Sequence, residues 1–380
     1  MSRIPVEVPT TGIRAVIINF TPSWFSVTMG TGVLAILLET CPYSFDGLST
    51  IATIVFFLNV VIFLVFLLLT IARYAIYPFM WWRMIYHHPQ SLFVGTLPMG
   101  LATIVNGIVL IAVPTYGYWA VQLAWALWWV DVVLSVASCF VIPMVMFHKH
   151  SVSIEKMTAV WLLPIVPAVV AAASGGLVST VLAPDDAFIT LIVSYILWGF
   201  GVSLSMLVMA IYIHRLAVHK LPTSEVIVSA FLPLGPLGQG SFGIMKMGQA
   251  GRTVFPAVNF MDVANVGEIV YVASVMVGIV LWGFGLWWLA HGVSSVLIRI
   301  FTSGRLEHNM GFWGFIFPLG VYTSATIELG AVIPSLVFSW LAVVFVITLV
   351  ILYIYVAYGT IYGAVTGRLF IAPCLSEAIQ

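Results

Sequence analysis

Apolar residues fall in long blocks, and the charged residues collect in the short stretches between them. Many blocks reach about 18 residues or more, enough to cross roughly 30 Å of hydrocarbon as a helix. A barrel strand would alternate polar and apolar positions with period 2. These blocks do not alternate, so the pattern predicts an all-α polytopic membrane protein. Ten spans are read, at roughly 22–39, 49–72, 91–113, 118–146, 157–181, 187–213, 225–247, 266–293, 311–333 and 335–363. The connections leave no room for a separate soluble domain. Residues 1–380 therefore read as one transmembrane domain, with short tails at about 1–12 and 364–380.

Proline and glycine divide the spans into two kinds. The first opens on "TPSWFSVTMGTG" with Pro22, and the third holds "GTLPMG" with Pro98. The fifth holds "LLPIVPAVVAAASGG" with Pro164 and Pro167, the seventh "FLPLGPLGQGSFG" with Pro233 and Pro236, and the ninth "IFPLG" with Pro318. Among the even spans only the fourth carries a proline, Pro143. A proline removes one helical hydrogen bond and frees the carbonyl four residues back. In lipid that carbonyl needs protein or a water-filled cavity. The odd spans are thus expected to be kinked and to stand inside, as degenerate copies in five two-helix hairpins, with the even spans facing lipid. The plainer alternative is that Pro and Gly are common in membrane helices generally.

Charge sets the orientation. Of the 13 Lys and Arg, all but Lys246 and Arg252 flank the spans on one side, including Arg3, Arg73, Lys156, Arg215, Arg305 and Arg368. By the positive-inside rule both termini are expected to be cytoplasmic. Before the first span, Ile13, Val16, Ile17 and Phe20 recur at helical spacing, as an interfacial helix would.

Composition narrows the function. The chain is 62% hydrophobic and 7% charged, with a net charge of zero, so nothing points to a nucleic-acid partner. Three cysteines without a CxxC give no disulfide or metal framework. No nucleotide loop, nucleophile motif or metal motif is present, so neither a cofactor nor an enzyme activity is read. No small-residue cleavage site follows the first apolar stretch, so no removable signal peptide is read. A membrane enzyme or a structural scaffold is the reading from another class, and a scaffold gains nothing from kinks.

A few polar residues stand within the spans. Lys246, at the outer end of span seven, either attracts anions or snorkels to the interface. Glu328 pairs with Lys246, takes part in proton coupling, or is a plain interfacial carboxylate. Asp131 is the deepest ionisable group, where a charge costs several kcal/mol. It reads as a fixed hydrogen bond to a neighbouring helix or as a proton relay. Asn59 and Asn106 are candidate interhelical hydrogen-bonders. Thr28, Thr31, Thr96, Thr103, Ser174, Ser241 and Thr323 are candidate hydroxyl donors to an anion. Helix dipoles and free N–H groups would serve a small monoanion. Two carboxylates would want a cationic partner each, and no arginine lies deep in a span.

The stretches "NFTPSWFSVTMGTG", "SLFVGTLPMGLATIVN", "LGPLGQGSFG" and "FWGFIFPLG" resemble the tellurite-resistance/dicarboxylate transporter family, to which the plant slow anion channels are related. Within it they look most like the fungal sulfite efflux pumps. The resemblance covers nearly the whole chain. It implies ten helices in five hairpins around a central pore lined by the odd helices, a homotrimer, and plasma-membrane export of sulfite or bisulfite. Malate or another dicarboxylate, and nitrate or chloride, are the alternatives on the same fold. In those relatives a phenylalanine before the proline of helix nine plugs the pore, and Phe317 holds that place here. The plain alternative for Phe317 is packing between helices.

Overall fold

The computed structural model describes residues 12–150, 152–304, 306, 308–333 and 335–376, apart from the side chains of Asp262, Ser303 and Ser376. Arg3, Arg305, the side chain of Asp262 and the expected N-terminal tail up to residue 11 therefore lie outside the described residues. Those described contain helices and turns and no strand.

The principal helices are α1 (Phe25–Glu39), α2 (Leu48–Ile76), α3 (Thr96–Gly107), α4 (Tyr118–Lys149), α5 (Val166–Ser179), α6 (Pro184–His219), α7 (Leu234–Ala257), α8 (Val266–Ser303), α9 (Trp313–Val332) and α10 (Leu336–Val365). With their flanking turns, eight stretches among the described residues are long and apolar enough to cross a membrane. A ninth is the bent pair Gly12–Asn19 and Pro22–Glu39, whose halves meet at 86°. α5 has only 14 residues, so the ten long spans read from the sequence are not all reached. Pro164 and Pro167 are the reason. The helix expected over 157–181 is a 3-10 turn at Ala159–Leu162, then a break, then α5 with Pro167 in its first turn.

The same device recurs. Each of α1, α3, α5, α7 and α9 is entered through a 3-10 turn, at Pro22–Trp24, Phe93–Gly95, Ala159–Leu162, Ile227–Phe231 and Met310–Phe312. Six of the seven prolines expected at kinks stand at or just before these helix starts, Pro22 at the 86° bend and Pro164 in the break before α5. Pro22 opens a 3-10 turn, Pro98 is the third residue of α3, and Pro164 precedes α5. Pro167 and Pro236 lie in first turns, and Pro233 is the cap of α7. At a helix start the missing N–H has no intrahelical acceptor to lose, and the fixed φ suits the turn. Pro318 alone of the seven lies beyond the first turn of its helix, as the sixth residue of α9.

Packing separates the helices into two sets. α1, α3, α5, α7 and α9 touch one another in that order, and α9 closes back on α1. Each remaining helix packs outside two neighbours of this ring: α2 on α1 and α3, α4 on α3 and α5, α6 on α5 and α7, α8 on α7 and α9, α10 on α9 and α1. Close seams use glycine. A Cβ on Gly238 would stand 2.6 Å from the Tyr322 backbone nitrogen on α9, and one on Gly30 would stand 2.5 Å from the Trp313 ring. In a membrane such close approach replaces hydrophobic driving force with van der Waals contact.

Polar side chains tie the outer helices to the ring. Trp128 Nε1 donates to Ala171 O at 2.8 Å, Trp198 Nε1 to Gly240 O at 2.9 Å, Tyr322 Oη to Trp282 O at 2.9 Å, and Trp313 Nε1 to Thr360 Oγ1 at 3.0 Å. At the cation-rich end, Arg215 donates to Glu155 O at 2.7 Å and Arg299 to Leu221 O at 2.6 Å, which fixes the connecting loops there.

Candidate functional site

Among the described residues, cavities of two sizes lie inside the ring. The larger, about 290 Å³, opens at the cation-rich end, where His88, Lys156, Glu225 and Asn309 border it. Deeper in, it is bounded by the first turns of all five ring helices, with Ser26, Met99, Val166, Gly235 and Phe317 among its walls. Five helix N-termini therefore converge on one vestibule. The macrodipole places partial positive charge at an N-terminus, worth about 0.3–2 kcal/mol toward an anion. The vestibule is thus favourable to negative charge although its walls are mostly apolar.

The smaller cavity, about 20 Å³, lies further along the ring helices, among Val33, Thr103, Asn106, Leu177, Gln239 and Ser324. It has room for about one water molecule. Among the described residues Phe317 is the only one that lines both cavities. Its side chain is 3% exposed. Pro318 follows it inside α9, and Val33 fills the space a Cβ on Gly320 would need.

One turn beyond the small chamber stands an ion pair. Lys246 Nζ lies 2.7 Å from Glu328 Oε2, with side chains 17% and 12% exposed. Lys246 also donates to Gln249 Oε1 at 3.0 Å and sits 5.7 Å from the ring centre of Phe242, a chamber wall. The pair joins α7 to α9, so Glu328 is the partner of Lys246 here.

The candidate hydroxyls divide. Thr96 borders the vestibule and donates to Pro22 O at 2.8 Å, which ties the start of α3 to that of α1. Thr103 borders the chamber, donates to Gly100 O at 2.8 Å and accepts from Asn59 Nδ2 at 3.3 Å. Thr28, Thr31, Ser174, Ser241 and Thr323 border neither cavity. Thr28 donates to Phe25 O and lies against Gly100. Thr31 donates to Val27 O and meets Tyr353 Oη on α10 at 3.1 Å. Ser241 donates to Gly278 O on α8 at 2.8 Å, and Thr323 to Leu319 O at 2.8 Å. The buried Ser174 Oγ has no partner. For the others the expectation of anion contact is corrected by helix geometry: in an apolar bundle a hydroxyl is satisfied most cheaply by a nearby backbone carbonyl.

Asp131 also departs from expectation. It is fully buried on α4, borders neither cavity, and both carboxyl oxygens lack the interhelical partner that was expected. Asn106 does border the chamber, with its Oδ1 unpaired. Gln239, on α7, borders the same chamber and is not among the candidate site residues read from the sequence. Its signal was present: it is the one carboxamide in "LGPLGQGSFG", between two glycines.

A bundle of apolar helices with cavities on its axis, fed by converging helix N-termini, defines a membrane protein built to pass small anions. Residues 19–361 match the voltage-dependent anion channel family, and the chain belongs to it. It is 48% identical to a sulfite efflux pump of Arthroderma otae over 353 residues, covering 93% of this chain and 92% of that protein. A sulfite efflux pump of Trichophyton rubrum is 47% identical with the same coverage. A malic acid transport protein of Schizosaccharomyces pombe is 26% identical over 88% of this chain and 76% of that protein.

Proposed function

We propose that this chain exports sulfite through a conduit on the axis of the ring, gated by Phe317. The observation that carries the reading is the position of that ring between vestibule and chamber. An anion gathered by the five N-termini would wait in the vestibule with part of its hydration shell. Rotation of the benzyl group would join the cavities, and its return would leave a hydrophobic constriction of the sort that gates pores. The choice of sulfite rests on the two relatives of nearly equal length. Full-length similarity of this kind, with the closed packing order of the ring, supports ten crossings as five hairpins in a single transmembrane domain. The family resemblance read in the sequence motifs implies a homotrimer in the plasma membrane, and the gathering of Lys and Arg on one side of the spans favours cytoplasmic termini.

The malic acid relative gives a second reading, a dicarboxylate permease. The cavities favour it less. Lys156 is the only lysine or arginine among their described walls, and two carboxylates would each want a cationic partner.

The test is flux in proteoliposomes holding the purified chain, for sulfite against malate, chloride and nitrate, with and without a pH gradient. Sulfite is expected to move fastest, and Phe317→Ala to raise its leak about tenfold, a barrier change of about 1.4 kcal/mol. Unchanged flux in Phe317→Ala would refute the gate, and malate moving faster than sulfite would replace the substrate.

A further inference from the structure

We propose that Asn106 and Gln239 form a binding site for one small protonated oxyanion, on the far side of Phe317 from the vestibule. The proposal rests on the conduit reading above and adds to it the group that selects.

Both side chains border the small chamber, and each residue is only 4% exposed. Neither makes a side-chain hydrogen bond, and Asn106 Oδ1 and Gln239 Oε1 are buried without a partner. Folded proteins leave few buried polar groups unpaired, and those that remain ask for a reason. Thr103 in the same wall is already committed, as donor to Gly100 O and acceptor from Asn59. Ser324 is held to Gly320 O at 3.3 Å. The free hydrogen-bonding capacity of the chamber therefore belongs to the two carboxamides. They stand on α3 and α7, which are separated in the ring by α5.

A carboxamide offers two N–H donors and a carbonyl acceptor. Bisulfite presents oxygen acceptors together with one acidic hydrogen, so it can satisfy both ends of the pair. Chloride and nitrate only accept, and would leave the carbonyls unpaired. No partner fixes either amide, so each can turn to present its donor or its acceptor. The chamber has room for about one water molecule. An anion of four heavy atoms would therefore enter only as Phe317 swings aside. The site would replace hydration lost in the small chamber, which holds about one water molecule, and then pass the ion toward Lys246 and Glu328.

The experiment uses the full chain in proteoliposomes, with sulfite and chloride flux measured at mildly acidic pH. Asn106→Leu and Gln239→Leu are each made in the parent and in Phe317→Ala. Each is expected to lower sulfite flux about tenfold or more, the loss of a hydrogen bond to a charged group. Chloride flux should fall much less, so the sulfite-to-chloride ratio drops in both backgrounds. An unchanged ratio in Phe317→Ala carriers that elute and melt like their parent would overturn the site and leave the conduit standing. A Phe317→Ala parent that moves no anion would sink the conduit and the site together. Should the leucine variants fail to fold, Asn106→Ala and Gln239→Ala serve the same comparison. Asn106→Asp, nearly the same shape, should block sulfite, and sulfite flux unaffected by that change would also overturn the proposal.

Discussion

The stretch Ile227–Ala257, which contains α7, has a mean hydropathy of 1.2, and 94% of its most apolar window is buried. Leu48–Ile76, which is α2, has a mean hydropathy of 3.1, and 17% of its most apolar window is buried. In a water-soluble protein the more apolar helix would be the buried one. Here the order is reversed because lipid tails take the place of water at the surface. Leu, Ile, Val and Phe lose nothing by facing them. The interior is left to glycine, alanine and hydroxyl-bearing residues, which allow close backbone approach. The ring is also where the backbone is irregular, with 3-10 turns at every start and a π-helical turn at Ile108–Ala112. Such backbone is tolerated in a membrane only where protein or a cavity receives it.

The contrast can be broken most severely at a seam. Gly238→Leu forces a side chain into the backbone of α9, where a Cβ already has no room. A loss of about 3 kcal/mol or more is expected from such overpacking, seen as a lower melting temperature and a poor yield of monodisperse protein. The same change at Gly199 on α6 or Gly283 on α8 meets nothing within 4 Å, and should shift stability by no more than about 0.5 kcal/mol. Equal effects at the two kinds of site would mean that ring and belt are not distinct.

Phenylalanines give the next comparison. Phe317→Ala should raise anion leak about tenfold. Phe140→Ala, on α4 and 56% exposed, should leave it unchanged. Ion pairs give a smaller one. Glu328→Gln removes a largely buried partner of Lys246 and should cost about 1 kcal/mol or more, with an altered sulfite flux. Glu268→Gln breaks a pair with Arg252 whose side chains are 50% and 55% exposed, and should be close to silent in both assays.

The smallest effect belongs to His308, outside the spans. It packs against Phe312, with ring centres 4.9 Å apart, and covers Gly359 on α10. Burial holds its imidazole below the ordinary 6.5. The unfolded chain therefore takes up the proton first, and the associated stability is present above about pH 6.5 and lost as the pH falls through the folded value. A slight fall in melting temperature on acidification is expected, and His308→Gln should flatten it.

How much of this was legible in the chain depends on the kind of signal. The division into inner and outer helices could be read from where prolines and glycines fall, because both residues act locally on the backbone. Which face of an inner helix meets the axis could not. Thr31 and Ser241 looked like donors to an anion, and the fold turns them to Tyr353 and Gly278 on outer helices. A helix buried on every side has no polar stripe to mark its functional face. The prolines likewise do not reveal their place in a helix from the sequence alone. Whether a proline stands in a first turn or an interior depends on where the helix begins, and that is set by the neighbours it packs against.

By itself, then, the order of residues determined an apolar all-helical chain, its cation-rich end and its alternation of broken and regular segments. These are sums of local preferences: backbone hydrogen bonding, side-chain transfer into lipid and the penalty on charge. Tertiary structure alone decided that five helix starts meet in one vestibule, that Phe317 borders two cavities, and that Asn106 and Gln239 share a chamber while Asp131 does not reach it. Those are relations between residues far apart in the chain, and only the close packing of glycine-lined helices brings them together.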